Sequence, residues 1–188
     1  MWIRDKLTAY HPAIRFSTYG YDTKLYPSAS FQSVPDLSNS LISALKGCGW
    51  SSPNAKPLIF LAHSLGGVVL KQAMVMLAGS GQTEAFILSL VRGAIFFGVP
   101  SRGMPMDDLK VMLGTQPNAE TLVKEISDTS NYLESLERQF TGISLLSKVT
   151  LFWAYETKIT PTIIEVSQLS SAFLCLRLTF HASLGEQG

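Results

Sequence analysis

The sequence is poor in cysteine and in charge, and each shortage argues against a class of protein. It has two cysteines, Cys48 and Cys175, without a CxxC pair, which argues against a disulfide scaffold and a zinc site. Charged residues make up 15% and the net charge is +1 without a basic stripe, so nucleic acid is not an expected partner. No apolar run reaches the roughly 18 residues of a membrane-spanning helix, and the charged first residues do not form a secretory signal. We expect an intracellular protein without a transmembrane segment in this chain.

What the sequence has is a regular alternation of short apolar strands and helical patterns. With 188 residues, 46% of them hydrophobic, it can bury the core of one domain. This alternation predicts an α/β fold with a mostly parallel sheet flanked by helices. Residues 107–141 are helical but more polar, which predicts an insertion over the sheet edge that acts as a lid. The predicted strands include "AIRFSTY", "LIFLA", "GAIFFGV", "KVTLFWAY" and "AFLCLRLTF", and the predicted helices include "WIRDKL", "SVPDLSNSLISALKG", 65–78 and 83–90.

One serine lies at the junction of a buried strand and a helix. In "LIFLAHSLGG", Ser64 stands in an A-x-S-x-G pattern that differs from the nucleophile elbow G-x-S-x-G by one methyl group, at Ala62. Such a turn exposes a serine oxygen above the carboxyl end of a strand, where ligands bind in open α/β sheets. The N–H of Leu65 could then stabilise an oxyanion. The alternative is that Ser64 only caps the following helix.

A catalytic base can be sought by chain order, which in this fold runs serine, acid, histidine. His11 precedes the serine, and His63 is its direct neighbour and cannot reach round to it. Only His181 follows, so either His181 is the base or this chain has no triad. His181 comes directly after a predicted strand, which suits a base on a loop. The alternative is an exposed histidine in a C-terminal tail.

The acid of a triad should follow a strand beyond the elbow. Glu156 comes directly after "LFWAY" and is the best placed candidate, with an exposed loop carboxylate as the alternative. Glu165 is second, whereas Asp107 and Asp108 begin a helix, where capping explains them. The second oxyanion donor normally comes from a loop after an earlier strand, and no such strand and turn are found in this sequence.

Four segments together resemble a known family: "WIRDKL…AIRFSTYGYD", "PLIFLAHSLGGVVLKQAM", "GAIFFGVPSRG" and "LFWAYETKITPTI". They are similar to the DUF676-like lipase/esterase branch of the α/β-hydrolases, in particular the serine active site-containing (SERAC-like) proteins and their fungal relatives. The resemblance covers about residues 2–164 and implies Ser64 as nucleophile and Glu156 as acid. It predicts that 1–188 is a single, partial α/β-hydrolase domain, with a divergent tail at 165–188 in which no aspartate precedes His181.

The favoured hypothesis is a serine hydrolase that cleaves a carboxylic ester, with lipid esters among the candidates and without cofactor or metal. The resemblance implies association with repeat or NACHT modules or with organelle membranes, and a location in the cytoplasm, mitochondrion or endoplasmic reticulum. The competing hypothesis is a catalytically impaired hydrolase-like domain that works as a binding or signalling module. A third is a fragment that folds poorly, because a sheet edge would be left uncovered.

Overall fold

The computed structural model describes residues 10, 14–20, 33–105, 119–154 and 178–183. Within these ranges the predicted alternation of strands and helices is confirmed. The predicted helix at "WIRDKL" and a predicted strand at 162–166 lie outside them. The strands are β1 (Ile14–Tyr19), β2 (Leu58–His63), β3 (Val91–Phe97), β4 (Thr150–Ala154) and β5 (Leu178–Ser183), and the helices are α1 (Val34–Gly47), α2 (Leu65–Gly79), α3 (Gln82–Ser89), α4 (Ala119–Ile126) and α5 (Asn131–Thr141), with a 3-10 helix at Ser144–Lys148.

Helix α1 begins with a reciprocal cap. The hydroxyl of Ser33 accepts from the N–H of Asp36 at 3.3 Å, and the Asp36 carboxylate accepts from the N–H of Ser33 at 3.0 Å. Two N–H groups that the first turn would leave unpaired are thereby satisfied. Pro35 fits the first turn because its missing N–H is not needed there. The apolar stripe that packs towards α2 is buried and consists of Val34, Leu37, Leu41, Ile42 and Leu45.

Strands β2, β3 and β4 form a parallel sheet in that order. Ala62 lies opposite Phe96, and Phe96 opposite Trp153. The rings of Phe96 and Trp153 stack with centroids 4.4 Å apart, and Phe140 of α5 meets Phe96 edge-on at 6.1 Å. Since parallel strands end at the same edge, the segments that follow β2, β3 and β4 gather there. This edge carries the turn at Ser64.

Strands β1 and β5 form a separate antiparallel pair, in which Phe16 lies opposite His181 and Tyr19 opposite Leu178. Strand β5 also lies beside β2. The sequence predicted that the strand ends at Phe180 and that His181 lies in a loop. That placement is wrong, because β5 continues to Ser183. Pairing with β1, which is remote in sequence, satisfies the backbone groups of these last residues, and no local pattern reports it.

The polar segment at 107–141 contributes two helices to the described structure, α4 and α5, which are separated near Asp128. Residues 106–118 lie outside the described ranges, so the lid role predicted for the segment stays a prediction. Leu133, Leu136 and Phe140 of α5 are buried in the same core as α2, because they recur at helical spacing and give α5 an apolar face. Within the described ranges, no helix combines the length and apolar character needed to cross a bilayer.

Candidate active site

Ser64 occupies the turn between β2 and α2 with a strained backbone. Its φ is 52° and its ψ is −132°, and among the described residues it is the only non-glycine with a positive φ. Such a conformation costs about 1–3 kcal/mol and persists where the surrounding structure enforces it. Ala62, which replaces the first glycine of the elbow pattern, lies within β2 and does not share this conformation. The extra methyl group of Ala62 is therefore compatible with the turn.

Hydrogen bonds on both sides hold this turn. The N–H of Ser64 donates to the carbonyl of Phe97 at the end of β3, and the N–H of Gly67 donates to the carbonyl of Ser64, both at 2.9 Å. Gly67 is needed because a Cβ there would lie 2.7 Å from Cγ1 of Val99 and closer still to Cγ2. The helix that follows the serine can thus approach the segment after β3 only with glycine at this position.

The structure does not support the capping alternative for Ser64. The serine stands at the position before the first turn of α2, yet its side chain makes no capping hydrogen bond. The N–H of Leu65 has no acceptor among the residues that the structure describes. It lies at the positive end of the helix dipole, where negative charge is favoured. Among the described residues, Ser64 and Leu65 therefore supply a hydroxyl without a capping bond and an N–H donor at one turn.

The structure describes Ser64 and the backbone of His181 but none of the candidate acids, so the triad stays a prediction. His181 lies within β5, opposite Phe16. His63 is exposed at the end of β2. The roles predicted for the acids stay predictions, because Glu156, Glu165, Asp107 and Asp108 all lie outside the described residues; Glu156 comes two positions after the end of β4.

A buried lysine lies near this turn and was missed by the sequence reasoning. The side chain of Lys71, seven residues after Ser64 on α2, is only 2% exposed. Its ammonium donates to the hydroxyl of Ser101 at 2.8 Å and to the carboxylate of Glu137 at 2.5 Å. A lysine inside the apolar run "LGGVVLKQAMVML" is the signal that could have drawn attention to it, because lysine is almost never fully buried unless paired.

Three aromatic rings surround the same ammonium. Lys71 Nζ lies 4.5 Å from the ring centroid of Trp153, 5.5 Å from that of Phe140 and 5.8 Å from that of Phe96, within the range of cation–π attraction. Burial lowers the pKa of Lys71, and the hydrogen bond and charge of Glu137 oppose this shift. The lysine thus links α2, the segment after β3, and α5 through one desolvated charge.

A cavity in the described structure lies elsewhere. It has a volume of about 410 Å³ and opens at the junction of α4 and α5. Burial raises the pKa of Glu125 at this junction, although the N–H of Val34 donates to its carboxylate at 2.7 Å. No cluster of three potential metal ligands occurs among the described residues. The cavity does not border Ser64; its lining consists of Thr121, Lys124, Glu125, Ser127, Thr129, Ser130, Asn131 and Tyr132.

Comparison with known proteins finds similarity to SERAC1 proteins. The chain is 28% identical over 144 residues to Protein SERAC1 of Mus musculus, which covers 74% of this chain and 21% of that protein. It is 27% identical over 144 residues to Protein SERAC1 of Homo sapiens, with the same coverage. With Protein SERAC1 of Danio rerio it shares 27% identity over 150 residues, covering 76% of this chain and 22% of that protein.

No family model matches the chain, and no solved structure matches it significantly. The chain spans about a fifth of the length of the curated relatives it matches. The DUF676-like and lipase parts of the resemblance therefore stay predictions. The SERAC-like part is supported: over about three quarters of its length, this chain is similar to one segment of the SERAC1 proteins.

Proposed function

We propose that this chain is a serine ester hydrolase with an α/β-hydrolase fold, in which the hydroxyl of Ser64 is the nucleophile. The observation that carries the proposal is the positive φ of Ser64 at the junction of a parallel strand and a helix. A serine keeps such a conformation only where the fold over-determines it, and strain of this kind clusters at active sites. The parallel sheet, the close packing at Gly67 and the similarity to SERAC1 agree with an elbow of this type.

In the proposed reaction Ser64 Oγ attacks the ester carbonyl carbon and gives its proton to a base. The N–H of Leu65 donates to the oxyanion, and the protonated base then gives its proton to the departing alkoxide. Water attacks the acyl-enzyme by the same route, which releases the acid and restores Ser64. His181 is the proposed base, and Glu156 the proposed acid that orients it.

The proposed substrate is an ester with an apolar acyl group, lipid esters included. Phe97 supports this choice: the residue is 38% exposed, and its carbonyl accepts from the N–H of Ser64. An exposed aromatic residue hydrogen-bonded to the backbone of the nucleophile favours apolar acyl chains, since burying apolar area is worth about 25 cal/mol per Å². A location at the mitochondrion or endoplasmic reticulum and a partner among repeat or NACHT modules are proposed from the family resemblance alone.

A fluorophosphonate probe tests the nucleophile. We expect intact-mass spectrometry to show one probe added to the wild-type chain and to Ser80→Ala, which removes an exposed serine at the far end of α2. Ser64→Ala should add none. Folded wild-type protein that stays unlabelled, or equal labelling of Ser64→Ala, would refute the proposal. Nitrophenyl acetate, butyrate and octanoate then test the acyl group, and we expect the longer esters to be cleaved with the higher kcat/KM.

The second candidate function is a binding module that has kept the elbow without the chemistry. It is favoured by the position of His181 within β5, opposite Phe16, rather than on a loop after the strand. His181→Ala separates the two functions. The hydrolase predicts a loss of about 10²–10⁴ in kcat, the usual contribution of a general base, whereas the binding module predicts no ester turnover by the wild type for the variant to lose.

A further inference from the structure

Two residues on one face of α2 hold the segment after β3. Gly67 and Lys71 are four residues apart and therefore lie one above the other on the helix surface. Gly67 packs against Val99, and the ammonium of Lys71 binds the hydroxyl of Ser101 at 2.8 Å. Residues 98–103, which we call the anchor loop, are thus attached to α2 at two points by contacts of different kinds.

The anchor loop is continuous with the residue that holds the nucleophile. Its first N–H, that of Gly98, donates to the carbonyl of Ala154 at the end of β4. The preceding residue, Phe97, accepts from the N–H of Ser64 at 2.9 Å. A displacement of the anchor loop would therefore act directly on the carbonyl that fixes the backbone of Ser64.

The attachment through Lys71 requires hydrogen-bond partners for its buried charge. A buried ammonium is costly unless it is paired and hydrogen-bonded, and here Ser101 and Glu137 provide those partners. We propose that Lys71 is a positioning residue for Ser64: its buried ammonium holds the anchor loop against α2 and α5 and so maintains the strained turn. The predicted effect on chemistry rests on the proposed hydrolase function, whereas the effect on the backbone does not.

Replacement of Lys71 by alanine, followed by rescue with a small amine, tests this role. Lys71→Ala removes three carbons and the ammonium, which is the size and charge of propylammonium. 1-Propanol fills similar space without the charge and serves as control. Lys46→Ala is the matched variant, because Lys46 pairs with Glu84 at the surface, on α1. The readouts are the rate of fluorophosphonate attachment to Ser64 and backbone hydrogen exchange.

We expect Lys71→Ala to react with the probe about 10²-fold more slowly than the wild type, as a small misplacement of reacting groups costs that much. Exchange should accelerate at the amides of Ser64, Gly98 and Met104, which are hydrogen-bonded around the anchor loop, but not at Cys48 in the cap of α1. Propylammonium should restore both readouts and 1-propanol neither. Lys46→Ala should behave as the wild type.

Several results would overturn the inference. If Lys71→Ala reacts with the probe and exchanges its amides like the wild type, Lys71 does not position Ser64. If 1-propanol restores both readouts as well as propylammonium does, Lys71 only fills space. A uniform acceleration of hydrogen exchange that includes the amide of Cys48 would indicate that Lys71 acts on global stability. If Lys71→Ala does not fold, Ser101→Ala removes one partner of the ammonium, and unchanged exchange at Gly98 in that variant would equally refute it. If wild-type Ser64 never reacts, the proposed function fails while exchange still decides the role of Lys71.

Discussion

Replacing Gly67 by alanine should destabilise the protein, although alanine is usually the better helix residue. The new Cβ would lie 2.7 Å from Cγ1 and 3.0 Å from Cβ of Val99, and closer still to Cγ2. Overpacking of this kind costs about 1–3 kcal/mol, whereas the helix propensity of alanine returns about 1 kcal/mol. Val99 is β-branched and has few alternative rotamers, so we expect the cost near its upper end and a net loss of about 2 kcal/mol in the free energy of unfolding.

Urea unfolding followed by circular dichroism at 222 nm measures this loss. For a chain of this size, 2 kcal/mol corresponds to a fall of about 4–8 °C in Tm. Gly79→Ala is the control, because Gly79 ends the same helix and a Cβ there would meet no atom of the described residues within 4 Å. It should gain up to about 1 kcal/mol. The double variant Gly67→Ala/Val99→Ala should lose less than the two single losses added together.

The steric reasoning would be refuted if Gly67→Ala were as stable as the wild type or gained stability like Gly79→Ala. It would also fail if the losses from Gly67→Ala and Val99→Ala were additive. Additivity would mean that the two side chains do not meet, and that α2 and the anchor loop lie further apart than the structure shows.

Three further predictions concern the turn, the cap and the buried lysine. Ser64→Gly should have a free energy of unfolding about 1 kcal/mol above that of Ser64→Ala, because glycine adopts a positive φ without steric cost. Ser33→Ala should lose about 1 kcal/mol with its cap, whereas Ser40→Ala, exposed within the same helix, should not. Burial lowers the pKa of Lys71 below its ordinary value of 10.5. Between the lowered pKa and 10.5, the unfolded chain therefore binds more protons than the folded protein. The free energy of unfolding of the wild type, minus that of Lys71→Met, should therefore rise as pH increases towards 10.5.

Urea unfolding measures all three, with the last repeated from pH 7 to 10. Equal stability of the glycine and alanine variants would show that the backbone at Ser64 carries no strain. Equal losses of unfolding free energy in Ser33→Ala and Ser40→Ala would show that the lost cap does not cause the destabilisation. A difference between wild type and Lys71→Met that falls with pH would mean that Glu137, rather than burial, governs the pKa of the lysine.

The sequence predicted the elements whose signals are local. Helix α1, the apolar strands β2 and β3 and the turn at Ser64 are each specified within a few positions of the chain, so periodicity and turn chemistry report them. The same locality explains the correct identification of the turn at Ser64. It also explains the failure for His181, whose strand is completed by pairing with Phe16 across the length of the chain.

By itself, therefore, the sequence determined the order of the described strands and helices and which serine stands at their junction. Only the tertiary structure decided what surrounds that junction. Lys71 and Glu137 are 66 residues apart in sequence, and the loss of chain entropy on bringing such segments together is repaid by contacts that no local pattern encodes. For this reason the buried charge, its aromatic neighbours and the true position of His181 became visible only once the chain was folded.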